Sequence, residues 1–152
     1  MKKLFSLSAT LITLLFGLSS CHIVTPEEPL PDDTTDYEAY GLLTVPSSGF
    51  TKENVRTRVV LTDDQTLDIY MYDVKFATMM PVTIDMLIRG VSYSQEGNRI
   101  CFCGDSIVPT AGNKPYEKYI VTDLKGFVSA DSICLSNNYG DTPAQYEGLI
   151  TK

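Results

Sequence analysis

The sequence contains no tryptophan, a single histidine and only four cysteines among its 152 residues. One histidine, at position 22, excludes most catalytic arrangements with a histidine base and most metal sites built on imidazoles. Basic residues are also few, since 12 Lys and Arg stand against 19 Asp and Glu for a formal charge of −7. Such a chain is not attracted to the phosphate backbone of nucleic acids. No apolar run reaches the roughly 20 consecutive residues that a transmembrane helix requires.

The first residues have the composition of an export signal. Lys2 and Lys3 precede a leucine-rich run that ends in Leu-Ser-Ser-Cys at residues 18–21. A cationic start, a short apolar stretch and small residues before a cleavage site are typical of signal peptides. The last four residues resemble the bacterial lipobox, in which the cysteine is acylated and the chain is cut just before it. We therefore expect residues 1–20 to be a lipoprotein signal peptide and Cys21 to carry the lipid that anchors the chain to a membrane.

A proline-rich, acidic segment, residues 21–37, follows the signal and predicts an extended tether. Prolines fix φ and like charges repel, so the segment could hold a domain up to about 50 Å from the lipid. His22 stands where an aspartate retains many Gram-negative lipoproteins in the inner membrane. We therefore expect an outer-membrane lipoprotein, and the sequence does not decide between the periplasmic and the external side.

Residues 38–152 read as one all-β domain. Leu67, Ile69 and Met71 alternate with polar or aromatic neighbours, and Ile84, Met86 and Ile88 repeat the pattern, as half-buried strands do. Short turns at 63–65, 95–98 and 129–131 and a longer loop at 110–114 predict sequential hairpins. The pattern predicts a single closed or nearly closed antiparallel meander β-barrel. Its strands, about eight in number, are expected near 39–46, 54–62, 66–76, 82–94, 98–107, 116–125, 126–136 and 145–151.

The two ends of this domain resemble each other. Residues 40–44 read Tyr-Gly-Leu-Leu-Thr and residues 146–151 read Tyr-Glu-Gly-Leu-Ile-Thr, which predicts that the first and last strands pair and close the barrel. The glycines would allow bends where backbones crowd, with Gly90 and Gly126 as candidate corners. The alternative is a chance similarity between two strand-like strings.

These residues resemble the calycin-like (lipocalin-like) β-barrel domain of secreted lipoproteins of Bacteroides and its relatives. The resemblance rests on segments 40–45, 76–88, 126–135 and 146–151 and covers most of residues 38–152. It implies a small antiparallel barrel, a largely uncharacterised role and no catalytic residues. True lipocalins carry a Gly-x-Trp near the first strand, from which this chain departs.

Three cysteines remain in the domain. Cys101 and Cys103 are two apart on a predicted strand, about 6–7 Å from each other and too far for a disulfide between them. Outside the cytoplasm, Cys103 or Cys101 could instead form a disulfide with Cys134. The alternative is three buried thiols that pack as small apolar side chains. We expect no metal site, because the Cys-x-Cys spacing differs from a zinc knuckle.

We expect no enzyme and no cofactor. Two carboxylates in a cleft would be needed for glycosidase chemistry, but Asp63 and Asp64 lie in a turn. Asp68 and Asp85 alternate with core positions, so they are expected to face solvent. Neither a phosphate-binding glycine loop nor a dinucleotide motif is present.

Non-catalytic binding is the expected role, in one of two forms. In the first, the barrel holds a small apolar ligand, with Tyr70, Tyr72 and Phe76 along one strand and Met79 and Met80 as an adaptable rim. In the second, the interior is filled by side chains, and loops or a tyrosine-rich outer wall contact an envelope protein or a glycan. A cavity beneath the two methionines would favour the first form, and tyrosines clustered outside would favour the second. The sequence does not indicate an oligomeric state.

Overall fold

The computed structural model describes residues 35–62 and 64–151, and ten β-strands account for most of them. The predicted signal peptide and most of the predicted tether lie outside the described residues. A short 3₁₀ helix, Glu117–Tyr119, is also present. The strands are β1 Asp36–Val45, β2 Phe50–Leu61, β3 Thr66–Val74, β4 Ile84–Glu96, β5 Arg99–Gly104, β6 Thr110–Ala111, β7 Lys114–Pro115, β8 Val121–Val128, β9 Ser132–Tyr139 and β10 Thr142–Ile150.

Eight of these strands form a closed antiparallel barrel, which confirms the predicted fold class. The strand order around the barrel is β1, β2, β3, β4, β5, β8, β9 and β10, and β10 pairs again with β1. The remaining two strands, β6 and β7, form a small hairpin that pairs with the first half of β4. Closure removes the free edges that an open sheet of this size would present for aggregation.

The closing seam joins the two similar segments that mark the ends of the domain. Gly41 of β1 lies opposite Gly148 of β10. The backbones approach so closely that a Cβ on Gly41 would lie 2.0 Å from the carbonyl oxygen of Glu147. The buried Tyr146 ring covers Gly148, and its hydroxyl donates to the carbonyl oxygens of Ala39 and Val55, each 3.1 Å away. The pairing predicted from the similar ends is therefore confirmed.

The barrel interior holds one continuous apolar core. Inward side chains alternate with outward ones along strands such as β1, β3 and β9, because strand side chains have a period of two residues. The positions predicted to face one side of β3 are all inward and fully buried: Leu67, Ile69 and Met71. Gly90, with φ of +68°, interrupts the alternation of β4, so that Ile88 and Val91 both face inward. Gly90 therefore forms a bulge within β4.

Several predicted boundaries differ from those of the structure. The strand predicted near 82–94 begins only at Ile84, and Val82 is 67% exposed after Pro81. The strand predicted at 116–125 is wrong in its first half, where the 3₁₀ helix packs Tyr119 against the core instead. The loop predicted at 110–114 is the β6–β7 hairpin, whose turn places Gly112 and Asn113 at positive φ, as a type I′ turn requires.

The ends of the domain differ too. Strand β1 starts at Asp36, within the predicted tether, because Tyr37 is buried and Asp36 forms a salt bridge with Arg58. The turn at Gly140 was not predicted, and it separates β9 from β10 with a φ of +58°.

We expect Gly41→Ala to lower the free energy of unfolding by at least about 3 kcal/mol, because the new methyl group meets backbone atoms that cannot move aside. The matched control is Gly104→Ala, whose close contact, at 2.7 Å, is the flexible tip of the Ile107 side chain. We expect Gly104→Ala to lower the free energy of unfolding by about 1 kcal/mol or less. Urea denaturation measures both values. Equal losses would contradict a specific requirement for glycine at the seam.

We expect Tyr146→Phe to cost about 1–2 kcal/mol through its lost hydrogen bonds. Burial raises the pKa of Tyr146 to about 12. The unfolded chain therefore loses this proton near pH 10 while the folded chain keeps it, and stability falls as the pH rises from about 10 to about 12. The free energy of unfolding, measured from about pH 10 to about pH 12, should fall less steeply for Tyr146→Phe than for the wild-type chain. Burial also raises the pKa of Tyr139, so part of the decline will persist. An unchanged slope would contradict this role.

Candidate binding surface on the barrel wall

Aromatic rings occupy the space beneath Met79 and Met80. A cavity at this place would favour the first expected role, a barrel that holds a small apolar ligand. Phe76 is 4% exposed, and its ring centroid lies 4.6 Å from that of Tyr139 and 5.3 Å from that of Tyr119. The Met80 sulfur accepts the Phe76 backbone N–H at 3.4 Å, whereas Met79 is 93% exposed. An aromatic cluster therefore fills this end of the barrel.

Tyr70 and Tyr72 lie on the outer face of β3, away from Phe76. Their rings are stacked with centroids 6.5 Å apart. Arg58 lies over the Tyr70 ring and Arg56 over the Tyr72 ring, at 5.7 Å and 4.6 Å from the centroids. The five predicted ligand residues are thus divided between the core, the outer wall and an exposed loop.

Arg56 and Arg58 are paired with acids as well as with tyrosines. Arg56 donates to Glu38 at 2.6 Å, and Arg58 donates to Asp36. The hydrogen bond from Arg56 lowers the pKa of Glu38. Acids of β1, arginines of β2 and tyrosines of β3 thus lie side by side on this part of the barrel. Both arginine charges are paired with carboxylates.

The carboxylates considered as catalytic candidates bind backbone amides. Asp68 accepts the N–H of Gly90 at 3.0 Å, and Asp85 accepts the N–H of Asp73 at 2.8 Å. Gly90 and Asp73 both have positive φ at irregular points of the sheet, so these carboxylates stabilise bulges. Asp64 is exposed in the β2–β3 turn, and Asp63 lies outside the described residues.

A groove of about 590 Å³ lies on the outer wall of the barrel. Its lining comes from five adjacent strands, β1, β10, β9, β8 and β5. We call the outer face of these strands the front wall. The strand register places one row of side chains across it, in the order Leu42, Glu147, Cys134, Phe127 and Cys101.

Three glycines occupy inward positions in the strands of the front wall. Gly126, Gly41 and Gly148 face the core beneath the groove, where other strands carry bulky side chains. A Cβ on Gly126 would lie 2.4 Å from the Phe102 ring and from the carbonyl oxygen of Cys134. A side chain at any of these three positions would therefore have no room on the inner side of the wall.

An apolar ridge borders the groove. Leu149 is 68% exposed, Tyr40 is 42% exposed and Leu42 is 41% exposed, and the register places Leu149 directly opposite Tyr40. Exposed apolar residues that are adjacent in this way mark interaction sites more often than scattered ones do. The groove and the ridge together form one apolar region.

The charges lining the groove are few. Lys125 and Glu147 are exposed at outward positions of β8 and β10, on either side of β9. Neither residue takes part in the two salt bridges found within the described ranges. Arg99 lies at the border, with its guanidinium 4.6 Å from the centroid of the Phe127 ring.

The three cysteines of the domain are free thiols. The disulfide considered between Cys134 and Cys101 or Cys103 is not formed, because β8 lies between β5 and β9. Two strand spacings separate their backbones by about 10 Å, beyond the reach of a disulfide. The alternative of three fully buried thiols does not apply either, since Cys103 is exposed and the other two are half-buried. Burial raises the pKa of Cys101 and of Cys134, with Glu96 and Glu147 adding to the effect.

Sequence reasoning missed most of the front wall. Leu42, Leu149 and Phe127 are not among the predicted binding residues. A signal was present in the alternation, since Leu149 follows the inward Gly148 and Leu42 follows the inward Gly41. An apolar side chain at an outward position of an amphipathic strand predicts a contact outside the core.

No family model, curated protein or solved structure matches the chain. Within residues 35–62 and 64–151, no helix is long and apolar enough to cross a membrane. The same ranges contain no group of three or more histidine, cysteine or acidic side chains that could hold a metal ion.

We expect Cys103 to react with a maleimide before the other thiols of the folded domain, because it is exposed and they are half-buried with raised pKa values. Peptide mass spectrometry over a labelling time course measures the order. Faster labelling of Cys134, or recovery of a disulfide-linked peptide containing it, would contradict this arrangement.

Proposed function

We propose that this chain is a lipid-anchored, non-catalytic interaction module of the bacterial cell envelope, and that its partner is a protein bound at the front wall. One observation carries the proposal. The barrel interior is filled by buried side chains, while the ridge of Tyr40, Leu42 and Leu149 exposes apolar surface beside an outer groove.

The filled interior favours an interaction module over a carrier of a small apolar ligand. An eight-stranded barrel either fills itself with side chains or holds one small molecule. Here Phe76 and Tyr139 pack against each other at the end of the barrel near Met79 and Met80, where the sequence predicts a ligand site.

The arginines favour a protein partner over a glycan. Sugar rings bind proteins by stacking on the faces of aromatic side chains. Guanidinium groups already lie over the rings of Tyr70, Tyr72 and Phe127. An apolar ridge beside a groove is instead the kind of surface that contacts another folded protein.

The anchor is supported by the sequence before the barrel. Leu-Ser-Ser-Cys at residues 18–21 resembles a lipobox, and the barrel begins at Asp36. The intervening prolines and acids give a tether of about 45 Å when extended. That length allows the front wall to meet a partner beside the outer membrane, the expected location.

The anchor is tested by metabolic labelling with a clickable palmitate analogue in the cells that make the protein. Wild-type protein and the control Cys103→Ser should be labelled, and Cys21→Ser should not, because only Cys21 is the acceptor. The control replaces an exposed thiol of the same chain. Label that persists in Cys21→Ser would overturn the anchoring.

The binding mode is tested by native mass spectrometry of protein purified from its own envelope under mild conditions. We expect the chain together with a stoichiometric protein partner. Complexes that retain a small molecule and lose it on unfolding would overturn the proposal in favour of a carrier.

A further inference from the structure

We propose that the side chain of Asn137 binds a water molecule inside the barrel, opposite a bulge in β8. Asn137 occupies an inward position of β9 and is 5% exposed. Its amide oxygen and its amide nitrogen are both buried, and neither has a hydrogen-bond partner within residues 35–62 and 64–151. Native proteins rarely bury a polar group in this way, because the group loses its bonds to bulk water without replacing them. The amide therefore indicates a bound ligand that forms hydrogen bonds.

The polar side chains next to Asn137 along β9 already have partners. Tyr139, the next inward residue, donates its hydroxyl proton to the sulfur of Met71 at 3.0 Å. Asn138, on the outer face of the same strand, donates to the Asp123 carboxylate at 3.1 Å. Two neighbouring asparagines thus differ, since the outer amide is paired within the protein and the inner amide is not.

Asn137 lies between a small side chain and an irregular strand. Its register partner on β10 is Ala144, which carries only a methyl group. On β8 the register shifts, so that Asp123 and Leu124 together face Asn137 alone. A bulge of this kind interrupts the ladder of backbone hydrogen bonds, and the Asp123 N–H accordingly donates to the side chain of Asp105 at 3.1 Å. Buried water molecules bind at such places, where polar groups lack their regular partners.

The surroundings of the amide decide the chemical class of the ligand. Tyrosines apart, the buried polar side chains of the described ranges are Thr57, Ser129 and Asn137, and none of them is charged. Because a buried ion needs charged partners or metal ligands, the bound ligand is neutral. It is also small, because the rings of Phe76 and Tyr139 fill the adjacent end of the barrel.

Water meets these requirements, since it is neutral and both donates and accepts hydrogen bonds. Globular proteins contain on the order of one buried water molecule per 27 residues, so a barrel of this size is expected to hold several. One such molecule leaves the interior otherwise filled by side chains. The inference is therefore compatible with the proposed function and independent of it.

The first test is NMR spectroscopy of the full-length chain in detergent, with nitrogen-15 supplied only in asparagine. The sequence has five asparagines, and Asn137 is the one among them that is buried. We expect cross-peaks between water and the Asn137 amide protons, with opposite signs in NOE and ROE spectra, as a water molecule that stays bound produces. Exchange of amide protons with the solvent produces the same sign in both. The Asn138 amide, on the outer face, is the internal control and should show no such pair of cross-peaks.

A hydroxyl proton that exchanges with water can imitate a bound water molecule in these spectra. Tyr139→Phe removes the hydroxyl of the next inward residue of the strand. The Asn137 cross-peaks should persist in this variant. Their loss would mean that the signal passed through the hydroxyl, which would overturn the water site.

Oxygen-17 relaxation dispersion of the solvent provides a second measurement, because it counts the water molecules that stay bound inside a protein. Asn137→Leu keeps the size of the side chain and should lower the count by about one, because leucine offers water no partner. Asn138→Leu makes the same change on the outer face and should leave the count unchanged. Thermal unfolding checks that both variants fold. The midpoint of Asn137→Leu should be no lower than that of the wild type, because an apolar side chain then replaces both hydrogen-bonding partners.

The two measurements together decide the proposal. Cross-peaks at Asn137 that persist in Tyr139→Phe, with a lower count in Asn137→Leu, support the water site. The absence of these cross-peaks in the wild-type chain overturns it, and this result does not depend on the folding of any variant. Equal counts in the wild type and in folded Asn137→Leu overturn it as well. None of these results bears on the interaction module, because the front wall lies on the outside of the barrel.

Discussion

The pairing of β1 with β10 is the contact on which the rest of the structure depends, because it converts a meander into a barrel. At its centre, Gly41 and Gly148 face each other, and no side chain fits between the backbones there. The Tyr146 hydroxyl bridges β1 and β2 from inside, through the carbonyl oxygens of Ala39 and Val55. Residues more than 90 positions apart in the chain are thereby held in one buried contact.

The outer surface of the same strands carries the groove. Close approach of backbones at the seam and at Gly126 requires inward positions without side chains. On the outside, the groove lies where β1, β10, β9, β8 and β5 are adjacent. On the opposite side of the seam, acids pair with Arg56 and Arg58 and tyrosine rings lie beside them, so that side presents paired charges where the front wall presents the apolar ridge.

Local patterns predicted much of this fold. The alternation around Ile69 and the glycine-containing ends of the domain depend on neighbours in sequence, and the structure confirms both. Predictions were wrong where tertiary contacts override local preference. Residues 116–119 have the composition of a strand, but a 3₁₀ helix there brings Tyr119 onto Phe76. Asp36 reads as part of a tether because it is acidic, yet Arg58 draws it into β1.

The sequence by itself determined the all-β class, the meander order and the closing strands, because each follows from a period of two residues and from turn-forming residues nearby. Only the tertiary structure decided which apolar residues face outward together, which cysteines are separated by β8, and that Phe76 fills the barrel end. Those properties depend on which strands become neighbours, and strand neighbours are set by closure across the whole chain. Composition and spacing describe one strand at a time, so they can mark a single outward apolar residue, but only the folded barrel decides which of these residues lie side by side.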